Sequence, residues 1–374
     1  GDMTHLERVT AVLKKETPDM VPIGWEVWNP SSQMKPKDWL KLGHDAAKIA
    51  KLKLWEHDRF NIDYTYPQVT LYQTLEAWGL KLRFTDKGHP IAAFSVNPDE
   101  SWMKNKPHLD SFDGDKYAEF VDNMEVPDPY TAPTTKALIK AVELMSKSDV
   151  VVGAYGLDAP SEAYFLTATH AQPTLMYKAP KVYIKLIDKC LEFGNELMKA
   201  QLDAGAKFVA YGAAPTGLSC HNHKLVRFEF EVACYYLRRH QMFAKRHGAI
   251  GIATHACRNS IYFMQHLKEF ALRTGYDAIA LSDYADAISA KRYAGGKIVV
   301  ATGPDPTTMM RYGTPKEIER AVKYYLSDNN PMYMLHVRDG MPNNTPLENV
   351  DALMRAGRKW GRYPIPRELD LIDT

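Results

Sequence analysis

The stretch Ala249-Ile250-Gly251-Ile252-Ala253-Thr254-His255-Ala256-Cys257 decides how this chain is read. Its first half is an unbroken apolar and β-branched run, the mark of a strand buried on both faces, as a parallel sheet requires. Its second half turns polar. Outward from it the same grammar repeats. Val150-Val151-Val152-Gly153-Ala154-Tyr155 and Lys207-Phe208-Val209-Ala210-Tyr211 precede it. Ala278-Ile279-Ala280-Leu281, Ile298-Val299-Val300-Ala301 and Met332-Tyr333-Met334-Leu335 follow. Amphipathic helical patterns separate these runs at 176–204, 224–247, 260–274, 315–327 and 345–359. Thr314-Pro315 and Thr345-Pro346 each read as an N-cap followed by Pro at the first helical position.

Repeated strand–helix units imply right-handed crossovers and a parallel sheet. With Val21-Pro22-Ile23-Gly24-Trp25 as the first strand and an eighth within 55–100, the count suits a (β/α)8 TIM barrel, one domain over 1–374. Residues 68–128, with a hairpin around Gly79–Phe84, read as an N-terminal elaboration over or beside the barrel mouth. The alternative, a doubly wound sheet, lacks a Gly-rich dinucleotide loop after any early strand.

The bulk numbers exclude several classes. At 45% hydrophobic and 25% charged residues the chain is globular. A net charge of +2 with no basic run gives no nucleic-acid footprint. No run of about 18 apolar residues exists, so no membrane span is expected. Gly1-Asp2-Met3-Thr4-His5 has no apolar leader core, and Gly1 reads as a cloning remnant. A cytoplasmic location is expected, with Cys190, Cys220, Cys234 and Cys257 as reduced thiols.

Barrel enzymes place their chemistry at the C-terminal strand ends. Here those ends carry Glu26 and Trp28; Asp158; Cys220, His221 and His223; His255 and Cys257; Ser282 and Asp283; Asp305; and His336 with Asp339. A strand-end Asp is as readily an N-cap for the next helix, which applies to Asp158 and Asp305. Two residues apart on a strand, His255 and Cys257 share a face. Imidazole and thiolate together suit tetrahedral zinc, although taken alone such a pair is more often structural. Asp283 and Glu26 are candidate catalytic groups. Trp28, Tyr155, Asp158, Tyr211 and His336 are candidate substrate contacts, with barrel core the other reading for the aromatics. Cys220, His221 and His223 are either a further ligand source or loop residues at the mouth.

Several motifs carry a resemblance. Arg8-Val9-Thr10-Ala11-Val12-Leu13-Lys14 with Pro18-Asp19-Met20-Val21-Pro22 looks like the opening of the uroporphyrinogen decarboxylase superfamily. Asp203-Ala204-Gly205-Ala206-Lys207, Gly303-Pro304-Asp305-Pro306, Tyr312-Gly313-Thr314-Pro315-Lys316-Glu317 and Thr345-Pro346-Leu347-Glu348-Asn349 are similar to its later signatures. The resemblance covers most of the chain and implies a (β/α)8 barrel. It is closest to the cobalamin-dependent methyltransferase branch, whose His-x-Cys zinc ligands match Thr254-His255-Ala256-Cys257. That branch's third ligand, a Cys, falls at Asp339, and Arg258 stands where Gly is usual. The resemblance thus implies zinc held by His255, Cys257 and Asp339, and a methyl group moved between a small substrate and a corrinoid (methylcobalamin). A separate corrinoid protein and a second copy of the chain are the partners it allows. The stretch 22–30 contains no Arg to grip a polycarboxylate, and Glu26 would repel one. A decarboxylase of a different acid, or a barrel without catalysis, are the rival readings.

Overall fold

The computed structural model describes residues 1–28, 38, 41–70, 73–79, 82–84, 94–96, 114–166, 172–212, 223–256, 264–281, 286–338 and 340–366. Eight strands close into a parallel barrel: β1 (Ile23–Trp25), β2 (Tyr64–Thr65), β3 (Val151–Leu157), β4 (Phe208–Gly212), β5 (Ile252–Ala256), β6 (Ala278–Leu281), β7 (Val299–Thr302) and β8 (Tyr333–Val337). They lie in chain order around the ring, and β8 closes on β1 with Gly24 opposite His336. The helices α1 (His5–Leu13), α2 (Ala46–Phe60), α3 (Pro133–Met145), α4 (Pro180–Ala204), α5 (His223–Arg246), α6 (Leu267–Thr274), α7 (Ala287–Ala294), α8 (Pro315–Leu326) and α9 (Leu347–Trp360) follow the expected alternation. The eighth strand lies within 55–100, as expected, but is only two residues long. The doubly wound alternative is excluded by closure.

Period-two alternation splits each strand between two cores. Val152, Val209, Ile252, Ile279, Val300 and Leu335 pack outward against the helices. Tyr64, Val151, Tyr155, Phe208, Ala278, Ala280, Val299, Ala301 and Met334 form a second cluster with Val9, Val12 and Leu13 of α1. Helix α1 therefore packs into the barrel interior. The many inward alanines leave space there.

The base is tied by Asp63, just before β2. Its carboxylate accepts from His5 Nδ1 (2.8 Å), Arg8 (2.8 Å), the Ile23 backbone N–H (2.8 Å) and Arg358 (3.0 Å). One buried anion thus joins α1, β1, β2 and α9. Burial alone would raise its carboxyl, but His5, Arg358 and Arg8 outweigh that and hold it down to about 2.

Within residues 68–128, Leu82–Phe84 pairs antiparallel with Phe94–Val96, so the pairing takes in only the last three residues of the stretch Gly79–Phe84 where a hairpin is expected. Leu75, Tyr117 and Val121 pack against α4 through Val182, Tyr183 and Leu186. One cap differs from expectation. Thr314 makes a full capping box with Glu317, but at α9 the N-cap is Pro346. The Thr345 hydroxyl donates to Pro342 O (2.8 Å) instead, which removes it from the helix end.

Candidate active site

A cavity of about 170 Å³ lies inside the barrel, walled mainly by apolar atoms. Tyr64, Tyr66, Tyr155 and Phe208 form its aromatic side, and Ala210, Ala253, Ala278, Ala280 and Ala301 its small side. Glu26, His255 and His336 also line it. They come from the ends of β1, β5 and β8, and the fold brings them together across the barrel.

Glu26 Oε1 accepts from both imidazoles, at 3.0 Å from His255 Nδ1 and 3.2 Å from His336 Nε2. The far nitrogen of His336 meets the Tyr64 hydroxyl at 2.8 Å, with the two rings stacked at 15°. Proton positions follow from these contacts. Burial would raise the Glu26 carboxyl, but His255 and His336 hold it well below the usual carboxylate range, so it is ionised and only accepts. Each imidazole must then present N–H to it. Neutral His336 keeps its lone pair on Nδ1, and Tyr64 donates to that nitrogen. Burial raises Tyr64 well above the ordinary phenol, which keeps its proton in place. Neutral His255 keeps its lone pair on Nε2. This is the carboxylate–histidine arrangement that orients a metal-ligating imidazole.

The strand-end wall is braced from α2. Lys53 is fully buried and its ammonium donates to Glu26 O (3.1 Å). Burial lowers Lys53, while neighbouring Glu56 opposes that shift. Burial pushes Glu56 up to about 7, with Lys53 pulling the other way. Gly24 makes room for the neighbouring ring: a Cβ there would lie 2.6 Å from the Tyr64 side chain.

The sequence-derived candidates divide. Glu26, Tyr155, His255 and His336 line the cavity. Trp28 and Tyr211 do not. Trp28 sits in the outer core, 5.6 Å from the Phe60 ring and 5.9 Å from Trp25. Tyr211 shares the outward face with Val209 and donates to Gly194 O (2.6 Å). Asp158 is fully buried and caps the helix Ala159–Leu166 through Ser161 N (2.9 Å). Asp305 likewise caps the turn Pro306–Arg311. Cys220, His221, Cys257, Asp283 and Asp339 lie outside the described residues, as does the side chain of His223. Cys190 and Cys234 are free and buried.

Sequence reasoning missed Tyr64, Tyr66 and Lys53. The alternation Asp63-Tyr64-Thr65-Tyr66 was the available signal for the tyrosines. For Lys53 it was a Lys–Glu pair three residues apart on the apolar side of a helix.

An eight-stranded parallel barrel with an ionised carboxylate and two imidazoles around an apolar cavity defines a barrel of enzyme type. The profile of the Uroporphyrinogen decarboxylase (URO-D) family matches residues 4–360, and the chain belongs to that family. It is 22% identical over 253 residues to the uroporphyrinogen decarboxylase of Actinobacillus pleuropneumoniae serotype 5b (strain L20), covering 64% of this chain and 69% of that one. It is 24% identical over 198 residues to the uroporphyrinogen decarboxylase of Novosphingobium aromaticivorans, covering 52% and 54%. A methyltransferase from Methanosarcina mazei shares the fold with a TM-score of 0.75 and 18% identity, over 96% of this chain and 99% of that one. Among the described residues no helix is long and apolar enough to cross a membrane.

Proposed function

We propose that this chain is a zinc-dependent methyltransferase of the URO-D family that moves a methyl group between a small substrate and a corrinoid. One observation carries the reading. Glu26 fixes the Nδ1 proton of His255, which puts the lone pair on Nε2, two residues before a thiol in the sequence. Nitrogen from His255, sulfur from Cys257 and oxygen from Asp339 would together be a donor set that suits zinc. When bound, zinc would supply Lewis-acid activation of a thiol or of a methylated heteroatom.

The chain's own residues do the rest. Glu26 orients His255 and offers a fixed negative charge at the strand ends. Tyr64 holds His336 in a single tautomer, so the mouth is preorganised. The aromatic and alanine walls admit a small apolar body and exclude water. In transfer to the substrate, its heteroatom lone pair forms the new bond to the methyl carbon. The electron pair of the broken carbon–cobalt bond leaves on the corrinoid, and the substrate's proton passes to solvent. The reverse direction exchanges these roles. Asp283 is a candidate to orient the substrate.

Decarboxylation is the second reading, favoured by the names of the curated relatives. The described cavity lining speaks against a polycarboxylate, since it contains no Arg or Lys. Arg338, at the end of β8, bonds to Thr302 instead (3.1 Å). The experiment loads the protein with zinc and mixes it with methylcobalamin and a panel of small thiols, or with cob(I)alamin and methylated donors. The corrinoid spectrum is followed. Turnover that falls about 100-fold or more in Cys257→Ser and in His255→Gln is expected. No transfer in either direction overturns the proposal. Carbon dioxide release from uroporphyrinogen would establish the decarboxylase instead.

A further inference from the structure

At the opposite end of the barrel, three ligand-type side chains converge: His5 at the start of α1, His57 in the last turn of α2, and Asp149 just before β3. Their ligand atoms all lie within 4.8 Å of one another. His57 Nε2 is 2.7 Å from Asp149 Oδ1, and His5 Nε2 is 3.9 Å from Asp149 Oδ2.

His57 Nδ1 faces Ile62 O at 2.9 Å. A carbonyl only accepts, so His57 must carry a proton on Nδ1. His5 Nδ1 faces the ionised Asp63 carboxylate at 2.8 Å, so it too is a donor. Both neutral imidazoles therefore keep their lone pairs on Nε2; His57 Nε2 faces Asp149 Oδ1 (2.7 Å), and His5 Nε2 faces Asn61 Oδ1 (3.0 Å) with Asp149 Oδ2 beyond it (3.9 Å). A lone pair 2.7 Å from a carboxylate oxygen is repulsive unless a cation lies between them. That cation is a second proton on the ring or a metal ion.

We infer that His5, His57 and Asp149 form a second divalent-metal site, of the zinc class, separate from the barrel mouth. Each imidazole already has the outer partner that a ligating histidine takes, a carboxylate for His5 and a backbone carbonyl for His57. Two imidazoles and one carboxylate suit zinc or a neighbouring late transition ion, not calcium or magnesium. Tetrahedral zinc sets its ligand atoms about 3.3 Å apart, so the cluster must adjust by about an ångström. The Asp149 side chain is 79% exposed and can move that far, while the two imidazoles are held. Bound there, the ion would clip α1, α2 and the entry to β3 together, so its role is structural. Asn61 Oδ1, 3.0 Å from His5 Nε2, is the polar neighbour that must give way.

The test uses tag-free protein with zinc as the probe. Calorimetry on Cys257→Ser, which disables the mouth, is expected to show one zinc per chain, and saturating zinc is expected to raise its Tm by a few degrees. Adding Asp149→Ala, an exposed change that leaves the fold intact, should remove both the zinc and the Tm rise. Asp149→Glu, which restores a carboxylate, should recover part of them. Zinc bound with unchanged stoichiometry in Cys257→Ser/Asp149→Ala overturns the assignment. So does a Cys257→Ser protein that binds no zinc, since the bridge is then a proton. Neither result bears on methyl transfer at the mouth, which is read by turnover.

Discussion

The two ends of the barrel use the same side chains to opposite effect. At the base, Asp63 is fully buried and saturated by a histidine, two arginines and a backbone N–H. At the mouth, Glu26 is 16% exposed and its Oε1 is shared by two imidazoles beside a cavity. Guanidinium groups fix a carboxylate permanently, because they do not lose their protons and they bond as a fork. Imidazoles titrate near neutrality and can exchange a proton for a metal. On the proposed function, the base is built to hold and the mouth to react. Barrel folds separate stability from chemistry in this way.

Asp63→Ala should break that comparison most violently. It strands Arg8 and Arg358 beside a vanished anion and is expected to cost about 3–5 kcal/mol, read by urea unfolding. Turnover per folded molecule should stay near wild type. Glu26→Gln is its counterpart. The amide keeps an acceptor oxygen for the two imidazoles, so stability should fall by less than in Asp63→Ala, while metal affinity at the mouth and turnover should fall about 10- to 100-fold. If Glu26→Gln unfolded the chain and Asp63→Ala abolished turnover of folded protein, the two ends would have been assigned the wrong way round.

Acid sharpens the same contrast. The Asp63 carboxyl is depressed in the folded state to about 2, from an ordinary 3.8. A depressed carboxyl stabilises the fold above its unfolded value and loses that contribution as pH falls through its folded value. About 2 kcal/mol should therefore disappear between about pH 4 and about pH 2. Denaturation midpoints across that range measure it, and Asp63→Asn should flatten the slope. The smallest effect belongs to Tyr64→Phe. It removes one hydroxyl donor to His336, and a loss of about 1 kcal/mol in stability is expected. Turnover should drop less than in Glu26→Gln.

Much of the fold was legible because parallel strands buried on both faces are apolar runs, as at Val150–Tyr155 and 278–281. β2 was not, since two residues, Tyr64 and Thr65, give no run to see. The mouth was legible as far as strand ends could be located: Glu26, His255 and His336 all follow or end apolar runs. What failed was parity. Side chains alternate across a strand, so Ala210 and Gly212 line the cavity while Tyr211 between them points to the helices. Trp28 was drawn the same way into the outer core by Trp25 and Phe60. Asp158 read equally well as a contact or a cap, and Ser161 decides for the cap. The base escaped sequence reading altogether, because His5, Asp63 and Arg358 meet only through closure of the ring.

Cobalt(II) substitution tests the mouth most directly, because a thiolate–cobalt bond absorbs in the near ultraviolet and imidazole–carboxylate ligation at the base does not. Titrating metal-free protein with cobalt(II) should produce that band in the wild type. The band should be absent in Cys257→Ser and should require about 10- to 100-fold more cobalt in Glu26→Gln. A wild-type protein without the band, or one in which Glu26→Gln leaves its titration unchanged, would contradict a metal held at the mouth by His255 and Cys257 with Glu26 orienting the imidazole.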